Sequence, residues 1–291
     1  MSWRTVVIAN RCKLDLKMGY MVVRGEETKR IFLDEIAMVI IENPAVALTG
    51  CLVSALIAKK IKVIFCDEQR NPASELVSLY GSHDCSAKIK AQMAWSKDIK
   101  GTVWTEIVKE KIKNQAKLLS AVGKELECKM LQNYISQIEF NDATNREGHA
   151  AKVYFNALFG KGFSRSIDVI ENAALNYGYS VLLSAINREI SINGYLTQIG
   201  LFHDNIFNFF NLGSDLIEPY RIVVDQHVKF NKAKEFNSEE KHEIVSLLHK
   251  KVLIENTNQT LLNSIKIYVR SVFNALNEED VSLIRFMEYE L

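Results

Sequence analysis

The sequence predicts an α+β protein with two domains, a small β-rich N-terminal domain and a larger all-α domain. Up to about residue 81, β-branched and alternating apolar segments dominate, with a single helical segment among them. Beyond that point apolar residues recur with the 3.6-residue period of helices. The chain has 291 residues, of which 48% are hydrophobic, enough for one substantial core or two smaller ones. We therefore expect domains over residues 1–81 and 89–291, joined by a linker over 82–88.

The predicted strands of the first domain are short and end at turn residues. They are "WRTVVIA", the alternating segment "KLDLKMGYMVVRG" with a turn at Met18-Gly19, "RIFLDEIAMVIIEN", "KVIFCD" and "SELVSLYG". The apolar run Ala45–Ala58 is too short to cross a bilayer, which needs roughly 20 residues. We expect a buried helix there, with Thr49 as its N-cap. A βαβ nucleotide site is the alternative, but the sequence lacks a glycine-rich phosphate loop between strand and helix.

The helices of the second domain are predicted from apolar periodicity. They cover Lys88–Ile99, Thr105–Leu119, Lys124–Ile138, "EGHAAKVYFNALFG", "IDVIENAALNYGYSVLLSAINREI" and "TLLNSIKIYVRSVFNAL". In the last of these, one apolar stripe comprises Leu261, Ile265, Tyr268, Val272 and Leu276. Asn237 and Glu240 have the spacing of an N-cap pair.

Charge and cysteine content narrow the class of protein. The net charge is only +1, but positive charge is concentrated in the lysine-rich segment 82–130, and the C-terminal third is acidic. The five cysteines are odd in number and widely spaced, without a CxxC pair, which indicates reduced thiols in a cytoplasmic protein. The segment "MSWRTVVIANR" lacks the profile of a signal peptide, so we expect neither export nor a membrane location.

Two candidate site residues stand where a helical core would favour apolar side chains. Glu147 enters an apolar helix directly behind a loop, in "TNREGHAAKVYF". The alternative for Glu147 is a capping box with Thr144, in which the glutamate bonds the cap amide. His203 lies among aromatic residues in "YLTQIGLFHDNIFNFFNLG". The alternative for His203 is a hydrogen-bonded core histidine.

The segment "GSDLIEPYR" adds two acids, Asp215 and Glu218, three residues apart. Because proline is tolerated only in the first turn of a helix, Pro219 places both carboxylates at a helix start. Capping is again the alternative. Two neighbouring buried carboxylates resist ionisation unless a cation lies beside them. Together with Glu147 and His203, this pair predicts a hard, oxygen-rich site for Mg²⁺ or Mn²⁺. The absence of HExxH argues against a zinc protease.

Several motifs around these residues occur together and in a fixed order. They are "ENPAVALTG", "VIFCDEQRNPASELVSLYG", "REGHAAKVYF", "IGLFH" and "SDLIEPYRIVVD". With them the whole chain resembles the CRISPR-associated integrase of spacer acquisition, and most closely the version found in type II-A systems. The resemblance implies a β-sandwich-like N-terminal domain that pairs two subunits, followed by a helical catalytic domain.

The resemblance also implies site residues. In the family the metal is held by the glutamate of "REG", a histidine after a glycine and the acid of "DLxE", which match Glu147, His203 and Glu218. Asp215 fits the accompanying acid, in a supporting role. Neighbouring basic residues expected to hold DNA phosphates are Arg146, Lys161 and Arg165.

The reaction implied by the resemblance is transesterification. The 3′ hydroxyl of a short double-stranded DNA, the prespacer, attacks a phosphodiester at the edge of a CRISPR repeat. Since one active site cannot join both ends of a fragment, we expect homodimers, two of them bridged by the family's small adaptation partner, and further type II-A adaptation proteins as partners.

A lysine stripe is expected to bind the DNA backbone without reading sequence. Its members are Lys88, Lys90, Lys97, Lys100, Lys109, Lys111, Lys113 and Lys117. The alternative is a solvated helical face. Two alternatives to the integrase also stay open: a metal-dependent nuclease that uses water as nucleophile, and a non-enzymatic DNA-binding scaffold whose acids only cap helices.

Overall fold

The computed structural model describes residues 3–76, 82–231 and 233–289. The chain divides into two compact units, Met1–His83 and Asp84–Leu291. All strands up to Leu76 belong to the first unit, and the second unit is mainly helical. The predicted fold class, a β-rich region followed by a larger helical one, is confirmed.

The first unit contains two four-stranded sheets around one helix. Its elements are β1 (Arg4–Ile8), β2 (Lys13–Lys17), β3 (Tyr20–Arg24), β4 (Thr28–Phe32), β5 (Ile36–Ile41), β6 (Ala47–Leu48), α1 (Gly50–Ala58), β7 (Lys62–Cys66) and β8 (Pro72–Leu76). One sheet has the order β1-β5-β7-β8, with only β7-β8 antiparallel. The other has the order β4-β3-β2-β6, with only β2-β6 parallel.

The core of this unit is shared by both sheets. It includes the buried side chains of Leu14 on β2, Met21 on β3, Val39 on β5 and Val63 on β7. Helix α1 contacts strands of both sheets and adds Leu52 to this core. The alternating apolar residues of β2 and β3 thus bury one side of their sheet.

Two predictions for this unit need correction. The run Ala45–Ala58 is not one buried helix, because β6 takes its first part and only Leu52 and Leu56 of α1 are buried. The segment "RIFLDEIAMVIIEN" is divided by a 3₁₀ turn at Leu33–Glu35, where the chain passes from one sheet to the other. The first three residues of the predicted strand "SELVSLYG" form the end of β8, and its remaining residues, 77–81, lie outside the described residues.

Two local predictions are confirmed. The turn between β2 and β3 falls at Met18 and Gly19, which both have positive φ, 49° and 79°. Such a turn matches the right-handed twist of the strands that it joins. Thr49 caps α1, since its hydroxyl accepts a hydrogen bond from the amide of Leu52 at 3.4 Å.

The second unit contains nine helices in its described part. They are α2 (Cys85–Ala94), α3 (Lys97–Ala121), α4 (Glu125–Ser136), α5 (Arg146–Phe159), α6 (Ile170–Ile192), α7 (Asn211–Leu216), α8 (Arg221–Asn231), α9 (Ser238–Ser246) and α10 (Leu261–Glu278). A hairpin of β9 (Lys251–Ile254) and β10 (Thr257–Thr260) precedes α10. Helix α3 is central, because it packs against α4, α5, α8 and α10.

The structure corrects three details of this unit. Helix α2 begins at Cys85, inside the predicted linker 82–88. The predicted helix over Lys88–Ile99 is broken, because Ser96 caps a new helix and accepts a hydrogen bond from the amide of Ile99 at 3.2 Å. The hairpin β9-β10 was not predicted, since its strands are only four residues long and the second, "TNQT", is polar.

Both predicted features of the C-terminal third are confirmed. Asn237 and Glu240 form a capping box at the start of α9. All five residues of the predicted stripe on α10 are buried. None of the described helices is long and apolar enough to cross a membrane. The five cysteines are free thiols.

A buried carboxylate links three helices of this unit. Asp225 on α8 is 1% exposed and accepts hydrogen bonds from the hydroxyls of Tyr154 on α5, at 2.9 Å, and Tyr179 on α6. Burial raises the pKa of Asp225 to about 6, although the two tyrosines and nearby arginines act against the rise. The folded state therefore favours the protonated form of this side chain.

We expect Asp225→Asn to make the free energy of unfolding less sensitive to pH. Because the folded pKa lies above the unfolded one, the contribution of Asp225 is fully present below about pH 4 and is lost as pH rises through about 6. The wild type should therefore lose about 3 kcal/mol relative to the variant between pH 4 and pH 7. Denaturant unfolding across this range measures the difference, and parallel curves for the two proteins would contradict the expectation.

Candidate metal centre

Glu147 lies in the first turn of α5, and the preceding loop fixes its backbone. The carboxylate of the buried Asp142 accepts hydrogen bonds from the amides of Arg146 at 2.8 Å and Glu147 at 3.0 Å. Asn145, with a positive φ of 51°, caps the helix by accepting from the amide of Gly148 at 3.2 Å. A carboxylate at this position also interacts favourably with the helix dipole.

The capping-box alternative for Glu147 is wrong. The cap is Asn145, one residue later than Thr144, and the hydroxyl of Thr144 has no hydrogen-bond partner among the described residues. The carboxylate of Glu147 instead contacts the ammonium of Lys111 on α3. Its side chain is therefore free of a capping role and faces a positive charge.

His203 is held by a buried acid rather than by the apolar core. Asp215, on α7, is fully buried and accepts hydrogen bonds from the amides of Leu201 at 2.6 Å, Phe202 at 3.2 Å and His203 at 3.1 Å. It also lies 2.6 Å from Nδ1 of His203. The ring is thereby oriented, and Nε2 is the nitrogen left to face a ligand. The hydrogen bond that Nδ1 of His203 makes to the carboxylate of Asp215 raises the pKa of His203, although partial burial opposes the rise.

The glycine of "IGLFH" has a steric role in this arrangement. A Cβ on Gly200 would lie 2.3 Å from the carbonyl oxygen of His203 and 2.8 Å from Oδ2 of Asp215. The first is a backbone atom, and the second belongs to a buried carboxylate that is held by three backbone amides, so neither can readily move away. Only glycine therefore allows the loop to close on the carboxylate.

Aromatic rings cover one side of His203. Trp104 on α3 is buried and meets the histidine ring edge-on, with centroids 5.7 Å apart. Phe202 stacks on Trp104 at 4.7 Å. These contacts limit the rotation of the imidazole and exclude water from that side.

The prediction that Asp215 and Glu218 share a helix start is only half right. Glu218 begins a 3₁₀ turn, Glu218–Tyr220, that leads into α8 with Pro219 in its first turn, as expected. Asp215 belongs to the preceding α7, which ends at Leu216. The two acids therefore lie in different helical segments and bind different partners.

Glu218 meets Glu147 at one ammonium group. Nζ of Lys111, 7% exposed, lies 2.5 Å from Oε2 of Glu218 and also contacts the carboxylate of Glu147. On its other oxygen, Glu218 accepts a hydrogen bond from Nε of Arg221 at 3.0 Å, and Nη2 of Arg221 lies 3.0 Å from the same oxygen. Two carboxylates from α5 and the turn before α8 thus share one buried cation.

The charges at this cluster stabilise one another. Burial alone would raise the pKa of Glu218, but Arg221 and Lys111 outweigh it and lower the pKa to about 2. Burial alone would lower the pKa of Lys111, but Glu218 and Glu147 outweigh it and raise the pKa. Glu218 and Lys111 are therefore both ionised near neutral pH.

Sequence reasoning missed Asp142 and Trp104 as supports and placed Lys111 on the DNA-binding stripe. Lys111 follows Trp104 by seven residues on the buried face of α3. Asn114, on the same face, donates to the carbonyl of Pro219 at 3.3 Å. The seven-residue spacing was the available signal that Lys111 points inward, but it could not identify the partners of Lys111.

The three predicted ligands do not form a preassembled metal cluster. Within residues 3–76, 82–231 and 233–289, no group of three His, Cys, Asp or Glu side chains is arranged to hold a metal ion. The ammonium of Lys111 instead lies against both glutamates. His203 stands beside them, since the charges of Glu218 and Glu147 both act on its ring.

The side chains nevertheless have the chemistry that a hard divalent cation needs. Two carboxylates already converge on a positive charge in a buried setting. A histidine whose Nδ1 is fixed by a carboxylate and whose Nε2 faces outward is typical of metal-binding histidines. Oxygen ligands with one imidazole suit Mg²⁺ or Mn²⁺. The residues present therefore fit such an ion.

The predicted DNA-binding lysines fall into two groups. Some face an acid about one helical turn away: Lys88 with Asp84 at 3.9 Å, Lys109 with Glu106 at 2.7 Å and Lys113 with Glu110 at 3.0 Å. Lys90, Lys97, Lys100 and Lys117 have no acidic partner within ion-pair distance in the part of the chain that the structure describes. The stripe on α2 and α3 is thus partly neutralised, and Lys111 does not belong to it.

The three basic residues near the site have different surroundings. Arg146, in the first turn of α5, lies over the ring of Tyr134 at 5.6 Å. Lys161 is exposed in the turn after α5. Arg165 bonds the side-chain amides of Asn172 and Asn176 on α6.

In the helical unit of this protein, two carboxylates meet at the buried ammonium of Lys111, and a histidine oriented by Asp215 lies beside them. The family model for "CRISPR associated protein Cas1" matches residues 5–265. The chain is 33% identical over 294 residues to "CRISPR-associated endonuclease Cas1" of Neisseria meningitidis serogroup C (strain 8013), covering 99% of this chain and 97% of that protein. The chain therefore belongs to the Cas1 family.

Solved structures share its fold at low sequence identity. A chain described as a casposase bound to integration product is 18% identical, with a TM-score of 0.79, and the match covers 97% of this chain and 93% of that one. A chain of a Cas6-RT-Cas1–Cas2 complex is 17% identical, with a TM-score of 0.76, and the match covers 97% of this chain and 36% of that one. At this identity the likeness concerns the fold alone.

Proposed function

We propose that this protein is the integrase of CRISPR adaptation, which joins the 3′-OH ends of short double-stranded DNA to the CRISPR array at repeat boundaries. One observation carries the proposal: Glu147 and Glu218 converge on one buried cation, beside a histidine oriented by Asp215. Membership of the Cas1 family supports DNA as the substrate of this site, because the Neisseria relative is named a CRISPR-associated endonuclease.

The reaction exchanges one phosphodiester for another. The 3′ oxygen of the incoming strand bonds to phosphorus, the bond to the leaving 3′ oxygen breaks, and the proton of the attacking hydroxyl passes to solvent while the leaving oxygen takes one up. No nucleotide cofactor is needed, because the number of phosphodiester bonds does not change. The chemistry supplied by a bound Mg²⁺ or Mn²⁺ is that of a Lewis acid, which polarises the phosphate and favours loss of the hydroxyl proton.

The side chains of this protein have distinct roles in that reaction. Glu147 and Glu218 would provide the oxygen ligands of the ion, and His203 would provide a nitrogen ligand. Asp215 holds the tautomer and orientation of His203 through Nδ1. Arg221 keeps Glu218 ionised and in place. Asp215 and Arg221 thus hold His203 and Glu218 in place before DNA arrives, which limits the reorganisation of these two side chains when charge develops on the phosphate.

The proposal extends to partners and subtype. The fold neighbour in a Cas6-RT-Cas1–Cas2 complex supports a small adaptation protein as partner, and the casposase bound to integration product supports strand joining on DNA. We propose that the N-terminal unit pairs two protomers and that the helical unit carries the chemistry. The type II-A assignment is a prediction from the sequence motifs.

The alternatives differ in their products. A nuclease would use the same ligands with water and release cut DNA, whereas a scaffold would bind DNA without changing it. The casposase-like fold favours the integrase over the nuclease, and the buried charged cluster favours an enzyme over the scaffold.

An integration assay with His203→Ala tests the proposal. Supplied with a fragment bearing free 3′ hydroxyls, a supercoiled repeat target and Mn²⁺, the wild type should yield joined products, and the variant about 10³-fold less or none. Omission of Mn²⁺ should have the same effect. His242→Ala, which changes an exposed histidine on α9, is the matched control. Equal product from wild type and His203→Ala would refute the assigned site, and cut but unjoined DNA would favour the nuclease.

A further inference from the structure

A cavity of about 320 Å³ lies next to the glutamate cluster in the helical unit. Its lining consists of Arg165, Asn176, Tyr179, Ser180, Leu183, Ser214, Ile217 and Arg221. Two of these residues are arginines, several are uncharged hydrogen-bonding residues, and no carboxylate is among them. A cavity with this lining attracts an anion.

Arg165 is the clearest sign of a missing anionic partner. Its guanidinium bonds two neutral side chains, the amide oxygens of Asn172 and Asn176, and has no carboxylate within ion-pair distance among the described residues. Partial burial acts against its charge and lowers its pKa. These two bonds occupy only part of the five N–H donors of a guanidinium, so others remain available to a ligand.

The second arginine connects the cavity to the glutamates. Arg221 lines the cavity and at the same time donates to Glu218. Both guanidiniums lie over the ring of Tyr179, Arg221 at 4.5 Å and Arg165 at 5.2 Å from its centroid. The hydroxyl of Tyr179 donates to the buried Asp225, which fixes the ring. Two positive charges are thus held close together by one rigid aromatic side chain.

The hydroxyl of Ser214 adds a neutral hydrogen-bond donor to the lining of the cavity. Ser214 accepts a hydrogen bond from the side-chain amide of Asn208 at 3.1 Å, which leaves its own hydroxyl proton for another acceptor. Two guanidiniums and a hydroxyl donate hydrogen bonds from several directions. This arrangement suits the tetrahedral oxygens of a phosphate better than it suits the two coplanar oxygens of a carboxylate.

We propose that this cavity binds one backbone phosphate of the substrate DNA, adjacent to the phosphate that reacts at Glu147 and Glu218. The inference rests on the proposed function, since it takes DNA as the substrate of the neighbouring cluster. Binding one phosphate beside the reacting one fixes the register of the strand, so the scissile phosphate and the attacking hydroxyl meet in line. Arg165 acts as a positioning residue in this arrangement.

Neutral phosphate analogues test the inference one linkage at a time. The probes are fluorescent duplexes and repeat targets in which a single phosphate near the reacting position is replaced by an uncharged methylphosphonate. We expect one linkage to lower the affinity of the wild type about tenfold, as for the loss of a charge-assisted hydrogen bond. In Arg165→Gln, the same methylphosphonate should not lower the affinity further. Methylphosphonates at other linkages should lower the affinity as much as they do in the wild type.

The controls separate this inference from the proposed function. Arg270→Gln removes an exposed guanidinium on α10, outside the cavity lining, and should keep the wild-type pattern. A flat methylphosphonate profile in the wild type, or an unchanged tenfold loss in Arg165→Gln, would overturn the inference. Joined products from the wild type in either case would leave the proposed function standing. A wild type that binds no DNA and yields no joined product would overturn both.

Discussion

Replacing Lys111 by Met should lower the free energy of unfolding by about 3–5 kcal/mol in metal-free buffer, because it leaves buried carboxylates without their shared cation. Glu218 is only 5% exposed and would keep Arg221 as its one charged partner among the described residues, and the partly buried Glu147 would lose its ion pair. Methionine has a similar length, so lost packing contributes little. Added Mn²⁺ should recover part of the stability, because an ion that binds only the folded state stabilises it.

Denaturant unfolding of the purified protein with EDTA and with Mn²⁺ measures this effect. Lys113→Met is the matched control, since Lys113 is two residues away on α3 with its side chain 55% exposed and pairs with Glu110 at 3.0 Å. Because the ammonium of Lys113 stays largely in water, its pair with Glu110 should contribute less to stability than the pairs of the buried Lys111. If the two variants lost the same stability, Lys111 would not be the counter-charge of the cluster.

Glu218→Gln should reduce strand joining by about 10³-fold or more, which corresponds to the several kcal/mol that a metal site contributes to phosphate chemistry. The substitution keeps the shape of the side chain and removes its charge. With only Glu147 opposing Lys111 and Arg221, the site has an excess of positive charge, and a divalent cation binds it poorly. The apparent affinity for Mn²⁺, measured by calorimetry, should fall together with the rate.

Glu110→Gln controls for the loss of a buried acid. Glu110 lies on α3 and is 8% exposed, but it pairs with Lys113 rather than with the cluster. Its replacement should leave the rate of strand joining within about threefold of wild type. Equal losses in the two variants would indicate that the effect of Glu218 arises from folding and not from the site.

Local features of this fold could be predicted because neighbouring residues determine them. Thr49 and the pair Asn237–Glu240 cap helices through hydrogen bonds to amides within three residues. Pro219 limits where a helix can begin, and the sequence placed Glu218 there correctly. The stripe on α10 follows from its period alone.

Predictions failed where a distant contact outweighed the local pattern. Thr144 has the spacing of a capping box with Glu147, but Asp142 and Asn145 take the positive-φ conformations that close the loop. The glutamate was therefore free to reach Lys111. Likewise, Asp215 has a capping spacing with Glu218, yet it binds the amides of the His203 loop.

The amino-acid sequence by itself determined the β-rich and helical halves of this protein, and its motifs singled out Glu147, His203 and Glu218. Only the tertiary structure decided that Lys111 leaves the lysine stripe and joins the two glutamates. The physical reason is that a periodic pattern shows which side of α3 is buried, whereas the partners of a buried charge depend on which helices pack there. Helices α5 and α8, far apart along the chain, both pack against α3 and bring the two acids to one ammonium.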